Sequence, residues 1–112
     1  MINKSDCIFC KIIDKEIPAK IVFENKDVCA FPDINPKAKV HILIVPKEHR
    51  EGLFSLSERD VELVGKLMVS VAEVAKKFNL ESFRVIINSG SGAGQSVFHL
   101  HLHLLSPEGF IV

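Results

Sequence analysis

The sequence has no excess of either charge: 14 Lys and Arg face 14 Asp and Glu, for a formal net charge of zero. A domain whose main partner is nucleic acid usually carries a basic surplus, so this balance argues against that class. No apolar run reaches the roughly 18 residues needed to span a membrane. The N-terminus, Met1 to Asp6, lacks the apolar core of a signal peptide, which gives a cytoplasmic expectation. There is no internal repeat, low-complexity segment or linker. Cysteine is scarce and odd in number, three in all, and structural disulfides are not expected without a secretory signal.

What remains is 112 residues with 47% hydrophobic content, enough for one domain over 1–112. Such a chain buries roughly 65% of its unfolded surface, so one core suffices without covalent staples. Cys29, within Val28-Cys29-Ala30-Phe31, fits a small core position.

The pattern predicts a short helix from Cys7 to about Asp14, capped by Asp6, with Ile8, Ile12 and Ile13 inward. Lys20–Glu24 and Val28–Phe31 form a hairpin about Asn25-Lys26-Asp27, and Pro32–Pro36 is a rigid loop. Val40–Val45 is a third strand, stopped by Pro46. A long helix is expected after Ser57 as its cap, with Val61, Val64, Met68, Val71, Ala75 and Phe78 on one face. Leu67, Ala72 and Val74 widen that stripe, and Asn79 ends it. Strands at Arg84–Asn88 and Val97–Leu105 flank a glycine-rich loop. Five strands without βαβ alternation indicate an α+β domain with a mostly antiparallel sheet.

Three of the five histidines are His99, His101 and His103. On a strand they share one face, while Leu100, Leu102 and Leu104 share the other. Neighbours in such a row lie roughly 6.7 Å apart, so three on one ion would require a bent strand. Neutral imidazole is a nucleophile toward phosphorus, and a row of imidazoles can divide attack from phosphate binding. The preceding run, Gly90-Ser91-Gly92-Ala93-Gly94-Gln95-Ser96, suits a loop whose backbone approaches an anion. It is not a Walker loop, since no Lys-Ser/Thr follows. Asp33, fixed between prolines, can accept from a vicinal diol. Cys7-x-x-Cys10 has the spacing of half a zinc site, and the redox alternative expects a βαβ unit that is missing. His49 is otherwise unexplained.

The run Gly94 to Leu105 matches the alternating signature of the histidine triad superfamily. Ile8–Ile13, Glu16–Ala19, Ala30–Pro36 and His41–His49 agree in order with its nucleotide-binding branch, so nearly the whole chain resembles it. The resemblance implies a five-stranded antiparallel sheet with one long and one short helix, and a homodimer sharing a ten-stranded sheet. It implies hydrolysis of purine nucleoside 5′-phosphoramidates through a nucleotidyl-histidine. By matching positions, His101 is the nucleophile, His103 faces the α-phosphate, and His41 belongs to the same cluster. Ser96 and Asn88, with the backbone at Gly94 and Gln95, match phosphate and leaving-group contacts. Asp33 matches the ribose partner, and Ile8, Phe9, Ile12, Phe31 and Ile34 match the base slot. Bacterial-type members imply a structural zinc on Cys7, Cys10, His49 and His99. A dinucleoside polyphosphate hydrolase, a non-catalytic nucleotide sensor and a small zinc-binding module are the alternatives.

Overall fold

The computed structural model describes residues 6–106. The N-terminal stretch behind the cytoplasmic expectation lies almost wholly outside them. Among the described residues no helix is long and apolar enough to cross a membrane. The elements are α1 (Ile8–Ile13), β1 (Phe23–Glu24), β2 (Val28–Pro32), β3 (Val40–Pro46), α2 (Val61–Lys77), β4 (Arg84–Ile86) and β5 (Leu102–Ser106). The strands form one antiparallel sheet in the order β1-β2-β3-β5-β4, so the fold is α+β as expected.

Alternation along the strands produces two cores. Pairing of Ala30 with Ile44, Ile44 with Leu102 and Ile42 with Leu104 gathers these residues on one face, against Leu67, Val71 and Val74 of α2. Cys29, Phe31, Leu43 and Val45 point to the other face and pack beneath Phe9, Cys10 and Ile12 of α1. Each large aliphatic side chain so buried contributes about 1.5–3 kcal/mol relative to exposure. Cys29 is fully buried, and burial raises its thiol above the usual range.

Several expected boundaries shift. Cys7, not Asp6, caps α1, its Sγ accepting the Cys10 N–H at 3.3 Å. Ile8 is half exposed, while Phe9, Cys10 and Ile12 face inward. β1 shrinks to Phe23–Glu24, although the Val22 N–H still reaches the Ala30 carbonyl at 2.9 Å. Ser57 precedes a 3₁₀ turn, Glu58–Asp60, and the helix proper starts after Asp60. The inward face of α2 is Leu67, Ser70, Val71, Val74 and Ala75, leaving Val61 69% and Met68 49% exposed. One small sheet covers only about a third of a helix circumference, so the rest of the broad apolar stripe stays outside. Asn79 ends the segment in the left-handed region, φ 54°.

β4 stops at Ile86, and β5 begins only at Leu102. The chain from Val97 to His101 leaves the ladder because the Leu100 N–H bonds to the Arg50 carbonyl at 2.7 Å. The three histidines therefore do not form one regular row. Leu100, Leu102 and Leu104 do share the helix-side core.

Candidate active site and metal centre

β3 and β5 place His41 and His103 side by side, because Leu43 pairs with His103 and His41 with Leu105. The hydrogen-bond network assigns their protons. His41 Nδ1 accepts the Lys37 N–H at 3.0 Å, so its Nε2–H donates to His103 Nδ1 at 2.9 Å. Asp33 Oδ2 stands 3.5 Å from the same His41 Nε2. A neutral His103 then carries its proton on Nε2, a buried atom without a hydrogen-bond partner among the described residues. His101 is assigned oppositely. Its Nδ1–H donates to the His99 carbonyl at 2.7 Å, which leaves the lone pair on Nε2. The two rings lie 5.0 Å apart between centroids, one offering a lone pair and the other an N–H.

Burial lowers the basicity of all three imidazoles. It is the largest cause for His101, opposed by the bond to the His99 carbonyl. It is also the largest for His41, opposed by Asp33. His103 is pushed down to about 4 by burial and then by its neighbours His101 and His41. Burial thus favours the neutral form of all three rings.

His101 and His103 line a cleft of about 690 Å³, within the range of small-molecule sites. Ile8, Phe9, Ile12, Phe31 and Ile34 contribute an apolar side, and Asp33, Asn88, Gly94 and Ser96 a polar one. Ile34 is 91% exposed at the rim. His41 and Gln95 do not line the cleft. His41 stands behind His103, and the Gln95 side chain turns inward. Its Oε1 accepts the Gly90 N–H at 2.8 Å, and its Nε2 donates to the carbonyls of Glu51 at 2.8 Å and Val97 at 3.1 Å. The backbone N–H groups of Gly94 and Gln95 are engaged within the loop, by Ser91 and Gly90 carbonyls at 3.1 Å each. Gly90 and Gly94 sit at φ 90° and 92°, a region that only glycine enters without strain, which closes the loop tightly. Ile17, Pro18, Ala19 and Lys20 also wall the cleft, which the strand assigned to Lys20–Glu24 hid. Pro18 was the available signal, since it holds the preceding residue extended and out of a helix.

A second cluster lies outside the lining of the cleft. The donor atoms of Cys7, Cys10, His49 and His99 all fall within 4.8 Å of one another. His99 Nε2–H donates to the Pro46 carbonyl at 2.8 Å, so its Nδ1 presents a lone pair to the cluster. That lone pair lies 3.2 Å from Cys7 Sγ, 3.5 Å from Cys10 Sγ and 3.1 Å from His49 Nδ1. Cys10 Sγ is 3.3 Å from His49 Nδ1. A tetrahedral zinc at its usual bond lengths sets S···N near about 3.5 Å and N···N near about 3.3 Å. The donor set and its spacing fit zinc, and the Pro46 carbonyl supplies the outer partner that ligating histidines normally have.

Fold and site together define an antiparallel α+β domain with an imidazole-lined cleft and a separate thiol–imidazole cluster. The family described as "Scavenger mRNA decapping enzyme C-term binding" matches residues 6–109. Protein HitA of Neisseria gonorrhoeae is 46% identical over 101 residues, covering 89% of this chain and 94% of that protein. The Zea mays 14 kDa zinc-binding protein is 48% identical over 93% of this chain and 84% of its own length. Adenylylsulfatase HINT1 of Arabidopsis thaliana is 49% identical over 92% of this chain and 72% of its own length. A solved histidine triad protein from Clostridium difficile superposes with a TM-score of 0.93 at 41% identity, over 99% of this chain and 98% of that one. The chain belongs to the histidine triad family.

Proposed function

We propose that the protein hydrolyses purine nucleoside 5′-phosphoramidates to nucleoside monophosphate and amine, with His101 as nucleophile. The observation that carries this reading is the tautomer pair: His101 offers a lone pair at Nε2, while His103 offers an N–H beside it. Attack by His101 Nε2 forms a P–N bond to the α-phosphorus as the bond to the amine breaks, and the amine leaves with a proton from solvent. Water then attacks the nucleotidyl-histidine: its oxygen joins phosphorus as the P–Nε2 bond breaks, and its proton passes to solvent. His103 Nε2–H donates to a phosphate oxygen, and His41 holds that proton in place through His103 Nδ1. Ser96, Asn88 and Gly94 bound the phosphate end of the cleft. Asp33 accepts from the ribose hydroxyls, and Ile8, Phe9, Ile12, Phe31 and Ile34 hold the base. The adenylyl group in the Arabidopsis relative's name supports a nucleotidyl substrate here.

Zinc is the cofactor this reading assigns to Cys7, Cys10, His49 and His99, supported by the donor geometry and by the name of the maize relative. A site closed by four protein ligands supplies structure, not activated water. The working form is a homodimer, supported by the exposed apolar face of α2. The test of function is turnover of an adenosine phosphoramidate beside a diadenosine polyphosphate. Preference for the phosphoramidate is expected. Cleavage of the polyphosphate alone would favour the other hydrolase branch, and nucleotide binding without turnover would favour a sensor.

A further inference from the structure

Arg50 lines neither the cleft nor the thiol–imidazole cluster, yet it bonds to the backbone of His49 and of Leu100, the neighbour of His99. One of its Nη1–H groups donates to the carbonyl of His49 at 3.0 Å. Its own carbonyl accepts the N–H of Leu100, the residue after His99, at 2.7 Å. Its Nε–H donates to Asp60 Oδ1 at 2.8 Å, and Glu48 Oε1 lies 3.1 Å from Nη1. Asp60 is itself fixed: it is 2% exposed, and its second oxygen accepts the Ser57 N–H at 2.9 Å. The segments carrying His49 and His99 belong to no strand, so no ladder sets their separation. The backbone carbonyl of residue 50 joins the two segments, and its guanidinium, anchored on Asp60 at the start of α2, grips the His49 carbonyl and so fixes that backbone. A rigid guanidinium fork suits this task, since it serves several acceptors at fixed angles where an ammonium cannot.

We propose that Arg50 is the positioning residue of the Cys7, Cys10, His49 and His99 cluster, setting the separation of its two imidazoles and hence its zinc affinity. This rests on the reading of that cluster as a zinc site. Outer partners of metal ligands typically govern affinity by about 10- to 100-fold. Arg50 would act one bond further out, through the backbone of His49 and of Leu100, with no contact to the metal.

The test measures zinc dissociation constants by competition with a chromogenic chelator, on full-length protein stripped of metal and reloaded. Cobalt(II) absorption then reports the ligand field. Arg50→Met should weaken zinc binding about 10-fold or more and shift the cobalt bands. Arg50→Lys, which keeps the charge but loses the fork, should fall between it and the wild type. If Arg50→Met fails to fold, Arg50→Lys alone decides. Lys66→Met is the control, because Lys66 ties α2 to Asp27 without touching the cluster segments; it should leave zinc affinity unchanged. Wild-type affinity in both Arg50 variants would overturn the proposal while the zinc reading stands. Equal weakening in Lys66→Met would show a general stability effect and also overturn it. A wild-type protein that binds no zinc would overturn both.

Discussion

A neutral imidazole carries one donor and one acceptor, so the chemistry of a histidine is decided by what holds its other nitrogen. At His101 the His99 carbonyl accepts a hydrogen bond from Nδ1–H. At His103, His41 supplies one instead. The same side chain thereby presents a lone pair at one position and an N–H at the next. His101→Asn should lower turnover by roughly a thousandfold or more while leaving nucleotide binding within a few-fold, as read by calorimetry. Retained turnover would defeat the assignment. Acid behaviour follows from His103, whose folded-state value of about 4 lies below the ordinary 6.5. Between those values the unfolded chain takes up a proton that the folded chain does not, so stability falls as pH drops through this window and is full above it. Denaturant unfolding at pH 7.5, 6 and 5 should show that loss, and His103→Asn should make it shallower. An equal slope in both proteins would mean that other groups carry it.

At the scale of elements, the glycine loop owes its shape to one side chain. Gln95 satisfies Gly90, Glu51 and Val97 together from a position that is 3% exposed. Gln95→Ala removes all three bonds, and a cost of about 1–3 kcal/mol is expected in urea unfolding. A change below measurement error would show that water replaces the amide freely. The order of strands and helices was legible because alternation and helical spacing are local patterns, as in Val28–Phe31 and Val40–Val45. The grouping of Asp33 with His101 and Ser96 in one cleft came through the family resemblance, since Asp33 lies far from the other two in sequence. The bend from Val97 to His101 was not legible, because its cause is a long-range bond from Leu100 to Arg50. Nor was the inward face of α2: Val61 and Met68 have the spacing of core residues, and only the sheet's width shows that they remain outside.

For the whole molecule, the thiol–imidazole cluster joins three distant stretches of chain: α1, the segment after β3, and the approach to β5. Zinc bound there would stabilise the folded state, because the four donor residues converge only in it. Chelation, or Cys7→Ser with Cys10→Ser, should lower Tm more than it lowers the rate of the molecules that stay folded. An unchanged Tm after complete zinc removal would sink this assignment.

The remaining outer face of α2 sets the last expectation. Val61, Gly65, Met68, Val69 and Ala72 fall along one side of the helix, and the first, third and fourth are 69%, 49% and 59% exposed. A Cβ built on Gly65 meets nothing within 4 Å, so the described residues supply no neighbour at the centre of that side. Glycine in a helix interior costs about 1 kcal/mol relative to alanine, and a second backbone approaching closely would offset that cost. Contiguous apolar surface of this kind marks an interaction site. A two-fold pairing of identical helices is the simplest closed arrangement. Sedimentation should therefore give a species of twice 12.5 kDa at micromolar concentration. Met68→Glu places two carboxylates against each other across such an axis and should shift the equilibrium to monomer. A wild-type protein sedimenting as a monomer would refute the pairing, and an unaffected dimer in Met68→Glu would move the interface to another face.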